Sequence, residues 1–335
     1  MNRAGTPLLE IVTEPDLRSA AEVDALMTAM RQLVRYLDIS DGNMQEGSMR
    51  CDCNVSIRPM GSQKLGNRCE IKNMNSMRFA RKAIDYEVQR QIGIVEAGGT
   101  VSQETLNFDP ETGVTAPLRS KEDAHDYRYF PEPDIPPVRI SAQQLAAIKE
   151  AMPMLPWKVL STLQADYQLS DYQARLISAE PEAARYFFQL AQDTPAYAAA
   201  ANLLINKLLP WCKDNNTTLE RFPLATTQLA AFLQLIEEGK ISNSIAYQEL
   251  FPALLDAPNI APFALATQRG WLQSDDQDEL EAWVAAVLAA NPAKVAEYRK
   301  GKKGLIGFFM GEVMKQSKGK ADPKKTNTML IDQLK

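Results

Sequence analysis

EGSMRCDCNVSIRP, residues 46–59, places Glu46, Arg50, Asp52 and Asn54 at even positions, so an extended strand would project them from one face. CEIKN, 69–73, reads as the neighbouring strand and would add Glu70 and Lys72 to that face. Carboxylates in pairs with an amide suit a hard cation such as Mg2+, which takes one or two carboxylates and fills its shell with water and phosphate oxygens. Interleaved Arg and Lys suit a phosphate or carboxylate. The same alternation is also the mark of a solvated outer face whose charges pair across strands, and on pattern alone that reading is the commoner one. The chain has a single histidine, His125, so acid–base or metal work must fall mainly on Asp and Glu.

TPLLEIVTEPDLRS, 6–19, sets Glu10 inside an expected apolar strand core of Leu8, Leu9, Ile11 and Val12. A carboxylate buried there needs a cation, hydrogen bonds or a proton, which makes Glu10 a site candidate. Glu14 and Asp16 belong to the turn that follows. Four cysteines, Cys51, Cys53, Cys69 and Cys212, lack C-x2-C spacing and a nearby histidine. The pattern favours reduced, partly buried thiols over a zinc site. In the last third, RKGKKG at 299–304 precedes GLIGFFMGEVMKQSKGK. Glycines among lysines at a helix start suit phosphate contact, and equally a solubilising lysine face. Phosphate-binding glycine loops, nucleophile elbows and HExxH are absent.

The elements that must hold these residues mix two periods. Ser19 opens a helix whose apolar positions Val23, Met27, Met30, Leu33 and Leu37 recur at helical spacing. Strands at 49–59 and 69–73 follow, then a helix from Ser76 to about AGG at 97–99. VSQETLNFD and GVTAPLRS, split by PETG, predict a hairpin. After Ile140 the strands give way to successive amphipathic helices with Ser, Thr or Pro starts. The expected class is α+β: a partial cradle with an antiparallel sheet over 1–140, a helical domain over 141–257, and a small helical tail over 258–335. Alanine and proline at DAPNIAPFA, 256–264, suggest the joint between the last two. The net charge of −5 is uneven, because Asn291 to Lys325 holds ten basic and three acidic residues, a local +7. A basic end on an acidic body points to a polyanion partner at that end. No run reaches the 18–20 apolar residues of a membrane span, and the amino terminus lacks a secretory pattern, so the expectation is a soluble cytoplasmic protein.

NRAGTPLLEIVTEPD, EGSMRCDCNVSIRP, EIKNMNSMRFARKAIDYE, DYRYFPEPDIPP and GFFMGEVMKQSKGKADP together resemble the B subunit of the tRNA-dependent amidotransferase, the GatB/GatE family. The resemblance runs from Asn2 to Lys335, and the tail is similar to the small helical domain of YqeY-like proteins. It implies a ligase that converts misacylated Asp-tRNA(Asn) or Glu-tRNA(Gln) to the amidated form. A cradle binding ATP and Mg2+ phosphorylates the carboxylate, an A subunit hydrolyses glutamine and passes ammonia through a polar channel, and a C subunit braces the pair. On this resemblance Glu10, Glu46, Asp52 and Glu70 become metal candidates, and Thr6 and Glu10 border the ammonia path. Glu46, Arg50, Asp52, Asn54, Lys72 and Asn75 become catalytic candidates. Lys300, Lys302, Lys303, Lys315, Lys318, Lys320, Lys324 and Lys325 become tRNA contacts. The proline-rich strap DYRYFPEPDIPP, 126–137, would lead out of the cradle with Arg128 facing the cleft, or serve only as a stiff connection. The family's chains begin well before this one, so the resemblance predicts a partial cradle and leaves a second reading, an inert tRNA-binding remnant. Cys53 and Cys69 depart from the family's needs, which require no thiol there.

Overall fold

The computed structural model describes residues 6–120, 134, 136–273, 277–317 and 319–335. They fall into two units, Met1–Pro156 and Trp157–Lys335.

In the first unit, α1 (Ala20–Tyr36) starts where the Ser19 hydroxyl accepts the Glu22 amide at 3.2 Å, satisfying one amide that the first turn leaves unpaired. β1 (Cys51–Val55) and β2 (Cys69–Met74) pair antiparallel, α2 (Met77–Glu96) follows, and β3 (Glu104–Asp109) and β4 (Val114–Ser120) form the hairpin. The sheet order is β1-β2-β3-β4. The expected antiparallel pairing holds at both outer pairs, but β2 and β3 run parallel. The reason is α2, which lies between them in the chain and returns it to the starting edge, as a helix crossover does. Cys53, Val55, Ile71, Met74 and Phe108 of the sheet pack with Ala20, Met27, Ala80, Ala83 and Ile84 of the helices in one core. The opposite face carries the polar residues. α3 (Ala142–Glu150), closed by a Ser141–Gln144 capping box, buries no residue.

Residues 6–14 differ from expectation. They form no strand, and Leu8, Leu9, Ile11 and Val12 are exposed, Leu8 at 86%. An apolar run becomes a strand only where another edge pairs with its amides, and none of the described strands does so. Glu10 is therefore an exposed carboxylate rather than a buried one.

The second unit is helical: α4 (Pro156–Ala165), α5 (Asp171–Ser178), α6 (Pro181–Asp193), α7 (Tyr197–Leu203), α8 (Leu209–Asp214), α9 (Thr226–Glu237), α10 (Asn243–Ile245), α11 (Phe251–Asp256) and α12 (Pro262–Arg269). Phe187, Leu203, Leu208 and Phe232 are fully buried among them. Two π-helical turns, Leu204–Leu208 and Ala246–Leu250, join α7 to α8 and α10 to α11. The Leu209 amide reaches the Leu204 carbonyl and the Phe251 amide the Ala246 carbonyl, five residues back, and a proline follows each, Pro210 and Pro252. A proline inside an α-helix lacks a donor and strikes the carbonyl four residues back, and the wider turn relieves both problems. Asn206 and Lys207 of the first turn and Tyr247 of the second line one cleft of about 490 Å³.

Within the stretch 256–264, residues 257–261 form a short connection between α11 and α12. Beyond it, α13 (Gln277–Ala290), α14 (Pro292–Arg299), α15 (Ile306–Gln316) and α16 (Pro323–Leu334) enclose a core of Leu280, Val284, Tyr298, Phe309, Val313, Leu330 and Leu334. The Phe308–Phe309 pair serves this helix packing, as its sequence suggested. At Gly319 φ is +79°, and a Cβ there would lie 2.6 Å from Ile245 Cδ1, so this turn sits directly on α10. No helix among the described residues is long and apolar enough to cross a membrane.

Candidate active site

Alternation in β1 buries Cys53 and Val55 and turns Asp52 and Asn54 outward, while β2 buries Cys69 and Ile71 and half-exposes Glu70 and Lys72. Register then sets Asn54 opposite Glu70 and Glu70 beside Thr105 of β3. Lys72 Nζ lies 2.8 Å from Asp52 Oδ2 and 3.0 Å from Glu70 Oε1. Thr105 Oγ1 donates to the other Glu70 oxygen at 3.1 Å. The hydrogen bond to Asp52 raises the Lys72 ammonium's pKa, against the pull of partial burial and with further help from Glu70, so it stays a fixed cation. Cross-strand pairing of this kind is what a solvated face would show. It is also a half-buried ammonium between two carboxylates, a group of net charge −1 that suits a cation carrying a phosphate.

The remaining sequence candidates are placed as follows. Arg50 is exposed just ahead of β1, and Asn75 is exposed just ahead of the Ser76 cap of α2. Glu46 lies in a loop tied by Asn43, whose side-chain oxygen accepts the Gln45 amide at 3.0 Å and the Glu46 amide at 3.3 Å. That loop presses on α1 at Gly42, where φ is +66° and a Cβ would fall 2.6 Å from Arg31 Cγ. Thr6 and Glu10 lie in the exposed segment 6–14. Arg128 and Lys318 lie outside the described residues, with most of the strap. Asp52 and Glu70 thus come together around Lys72. Among the described residues no three His, Cys, Asp or Glu side chains form a group that could hold a metal ion. The donor set fits a hydrated Mg2+ held through one or two carboxylates beside a phosphate, and not a cage of protein ligands.

In the tail, Lys300, Lys302, Lys303, Lys315, Lys324 and Lys325 are exposed and Lys320 is half-buried. Lys302 pairs with Glu297 at 2.9 Å and Lys303 stands 4.3 Å over the Tyr298 ring.

One feature on the helix side of the sheet went unread in the sequence. Glu87 is fully buried and accepts from Arg90 at 2.8 and 2.9 Å, from Gln91 at 2.8 Å and from Thr115 at 3.0 Å. Burial would raise its carboxyl, yet the bonds from Arg90, Gln91 and Thr115 outweigh it and hold the group below its usual range. Gln91 also donates to the Val55 carbonyl at 3.0 Å, so this knot ties α2 to β1 and β4. Cys51 and Cys53, two apart on one face, have sulfurs 3.8 Å apart. Their shared hydrogen bond lowers the Cys51 thiol and, with burial, raises that of Cys53.

Residues 1–146 match the model of the GatB/GatE catalytic domain, and residues 185–334 match that of the GatB domain. The B subunit of the aspartyl/glutamyl-tRNA(Asn/Gln) amidotransferase of Janthinobacterium sp. (strain Marseille) is 47% identical over all of this chain and 70% of its own length. The B subunits of the same enzyme from Alkalilimnicola ehrlichii and Geobacter sulfurreducens are 44% and 45% identical, again over the whole chain and 70% of theirs. The chain belongs to the GatB family of amidotransferase B subunits.

Proposed function

We propose that the chain acts as the B subunit of a tRNA-dependent amidotransferase, working on Asp-tRNA(Asn) or Glu-tRNA(Gln) in a heterotrimer with a glutaminase A subunit and a bracing C subunit. The observation that carries the reading is the Asp52–Lys72–Glu70–Thr105 cluster on the polar sheet face of the domain that matches the family's catalytic part. ATP, with Mg2+, supplies the phosphoryl group that turns a carboxylate oxygen of the charged tRNA into a leaving group. Lys72 holds anionic oxygen at the face, and its fixed charge offsets what develops there. Asp52 and Glu70 orient that ammonium and offer oxygens to a hydrated cation. Asn54 of β1 and Arg50 just ahead of it position the aminoacyl end, with Glu46, Asn75 and Arg128 as further catalytic groups. Thr6 and Glu10 offer hydrogen-bonding groups to neutral ammonia along its path. The exposed tail lysines, with Lys318 and Lys320, hold the tRNA backbone. The helical middle, 141–257, and the tail, 258–335, work as the separate tRNA-facing domains. Nothing among the described residues favours the inert tRNA-binding reading.

The test is reconstitution with A and C subunits, charged tRNA, ATP, Mg2+ and glutamine, measuring amidated tRNA. The assembled complex should amidate. Lys72→Ala should lower the rate on the order of 100-fold while assembly and tRNA binding persist. An unchanged rate for Lys72→Ala, or no complex with the A and C subunits, refutes the reading.

A further inference from the structure

The amide transfer proposed above uses no thiol, which leaves the dithiol of β1 without a part in it. Its two cysteines differ from the other thiols and from each other. Cys51 is half-buried, whereas Cys53, Cys69 and Cys212 are buried. Their sulfurs are already in contact at 3.8 Å. Same-face neighbours in a strand sit about 6.6 Å apart along the chain, near the upper end of the Cα separation a disulfide tolerates. Closing the pair therefore needs β1 to bend at Asp52. The ladder gives way at that point: Cys51 pairs with Met74 and Cys53 with Ile71, so the single Asp52 faces two residues of β2. The extra residue belongs to β2, and the interrupted ladder leaves β1 without regular pairing at Asp52, where it can bend.

We propose that Cys51 is a site of reversible oxidation by peroxides, with Cys53 as its resolving thiol. The Cys51 sulfur attacks one oxygen of hydrogen peroxide. The S–O bond forms as the O–O bond breaks, and the departing hydroxide takes the thiol proton and leaves as water. Cys53 sulfur then attacks the Cys51 sulfenic acid. The S–S bond forms, the S–O bond breaks, and the hydroxyl leaves as water with the Cys53 proton. Two thiols lose two electrons and one peroxide becomes two waters. A bridge between such positions is strained, and strained bridges are those that small thiols reopen. Because Asp52 lies between the two cysteines and carries the contact to Lys72, closure also disturbs the polar face.

The experiment treats the full chain with hydrogen peroxide, counts free thiols, and maps the peptide that begins at Cys51. The count should fall from four to two, with the loss confined to a Cys51–Cys53 bridge and reversed by glutathione. In Cys53→Ala, whose small apolar side chain keeps the core, oxidation should stop at a Cys51 sulfenic acid captured by dimedone. Cys51→Ser should keep its three thiols through the same treatment. Equal labelling of Cys69 or Cys212, or passage of wild-type Cys51 to sulfinic acid as fast as in Cys53→Ala, overturns the proposal. So does a wild-type chain that retains all four thiols while Cys53→Ala is captured by dimedone.

Discussion

Replacing Glu87 loosens the first unit in a way that depends on pH. Its carboxylate is fully buried and holds Arg90, Gln91 and Thr115 at once. Removing one partner of a buried ion pair costs about 3–5 kcal/mol. The Arg90 side chain keeps 27% of its surface exposed and can rehydrate, which moves the cost to the low end. Gln91 retains the Val55 carbonyl, but the buried Thr115 hydroxyl loses its acceptor, worth about 1–3 kcal/mol. Glu87→Ala is thus expected to lose about 3 kcal/mol, and Glu87→Gln, which keeps an acceptor but no charge, about half that. A carboxyl held low in the folded state contributes fully above its unfolded value, near 4.5, and the contribution fades as pH falls through the folded value. The deficit of Glu87→Gln should therefore be complete at about pH 7 and shrink as the pH drops below the unfolded value. All four tryptophans, Trp157, Trp211, Trp271 and Trp283, lie in the second unit, so their fluorescence follows the other half. Hydrogen exchange of the β1 and β2 amides by mass spectrometry is the matching assay, with opening in Glu87→Ala faster by roughly 100-fold. Exchange unchanged at neutral pH, or a deficit that stays constant on acidification, would refute the reasoning.

Other substitutions test separate parts. Gly42→Ala forces a Cβ onto Arg31 in a left-handed turn, and should cost about 1–2 kcal/mol in thermal melting of the first unit. Phe309→Ala should cost about 3–5 kcal/mol in urea unfolding followed through Trp283, because Phe309 is fully buried in the tail core. Neutralising the exposed Lys324 should weaken tRNA binding and reduce the slope of log affinity against log salt by about 0.7–0.9. An unchanged slope removes that lysine from the contact.

The sequence carried the outline of the site because strand periodicity is a short-range property. Asp52 and Asn54 alternate with Cys51 and Cys53, and burial follows that alternation. Which groups meet across strands is not short-range: Thr105 joins Glu70 from 35 residues away, through a register set by the α2 crossover. The parallel pairing was legible in principle, since a 20-residue helix between two strands permits it. Glu87 was legible too. Buried Ala80, Ile84, Glu87 and Gln91 share one helical stripe, and a charge on that stripe needs a partner. Residues 6–14 misled because apolar composition says nothing of whether a pairing edge is at hand.

The π turns constrain what lies beyond them. Each inserts one residue more than an α turn would, which rotates everything downstream by about 100° about the helix axis. Cys212 beyond the first and Leu254 beyond the second are buried in that advanced phase. Trading Pro210 for a good helix former would thus not simply mend the helix. Drawn back into the tighter winding, α8 would swing Cys212 away from the interior, and Asn206 and Lys207 would leave the wall they share with Tyr247. The prolines act as phase markers, fixing which side of each rod meets the core.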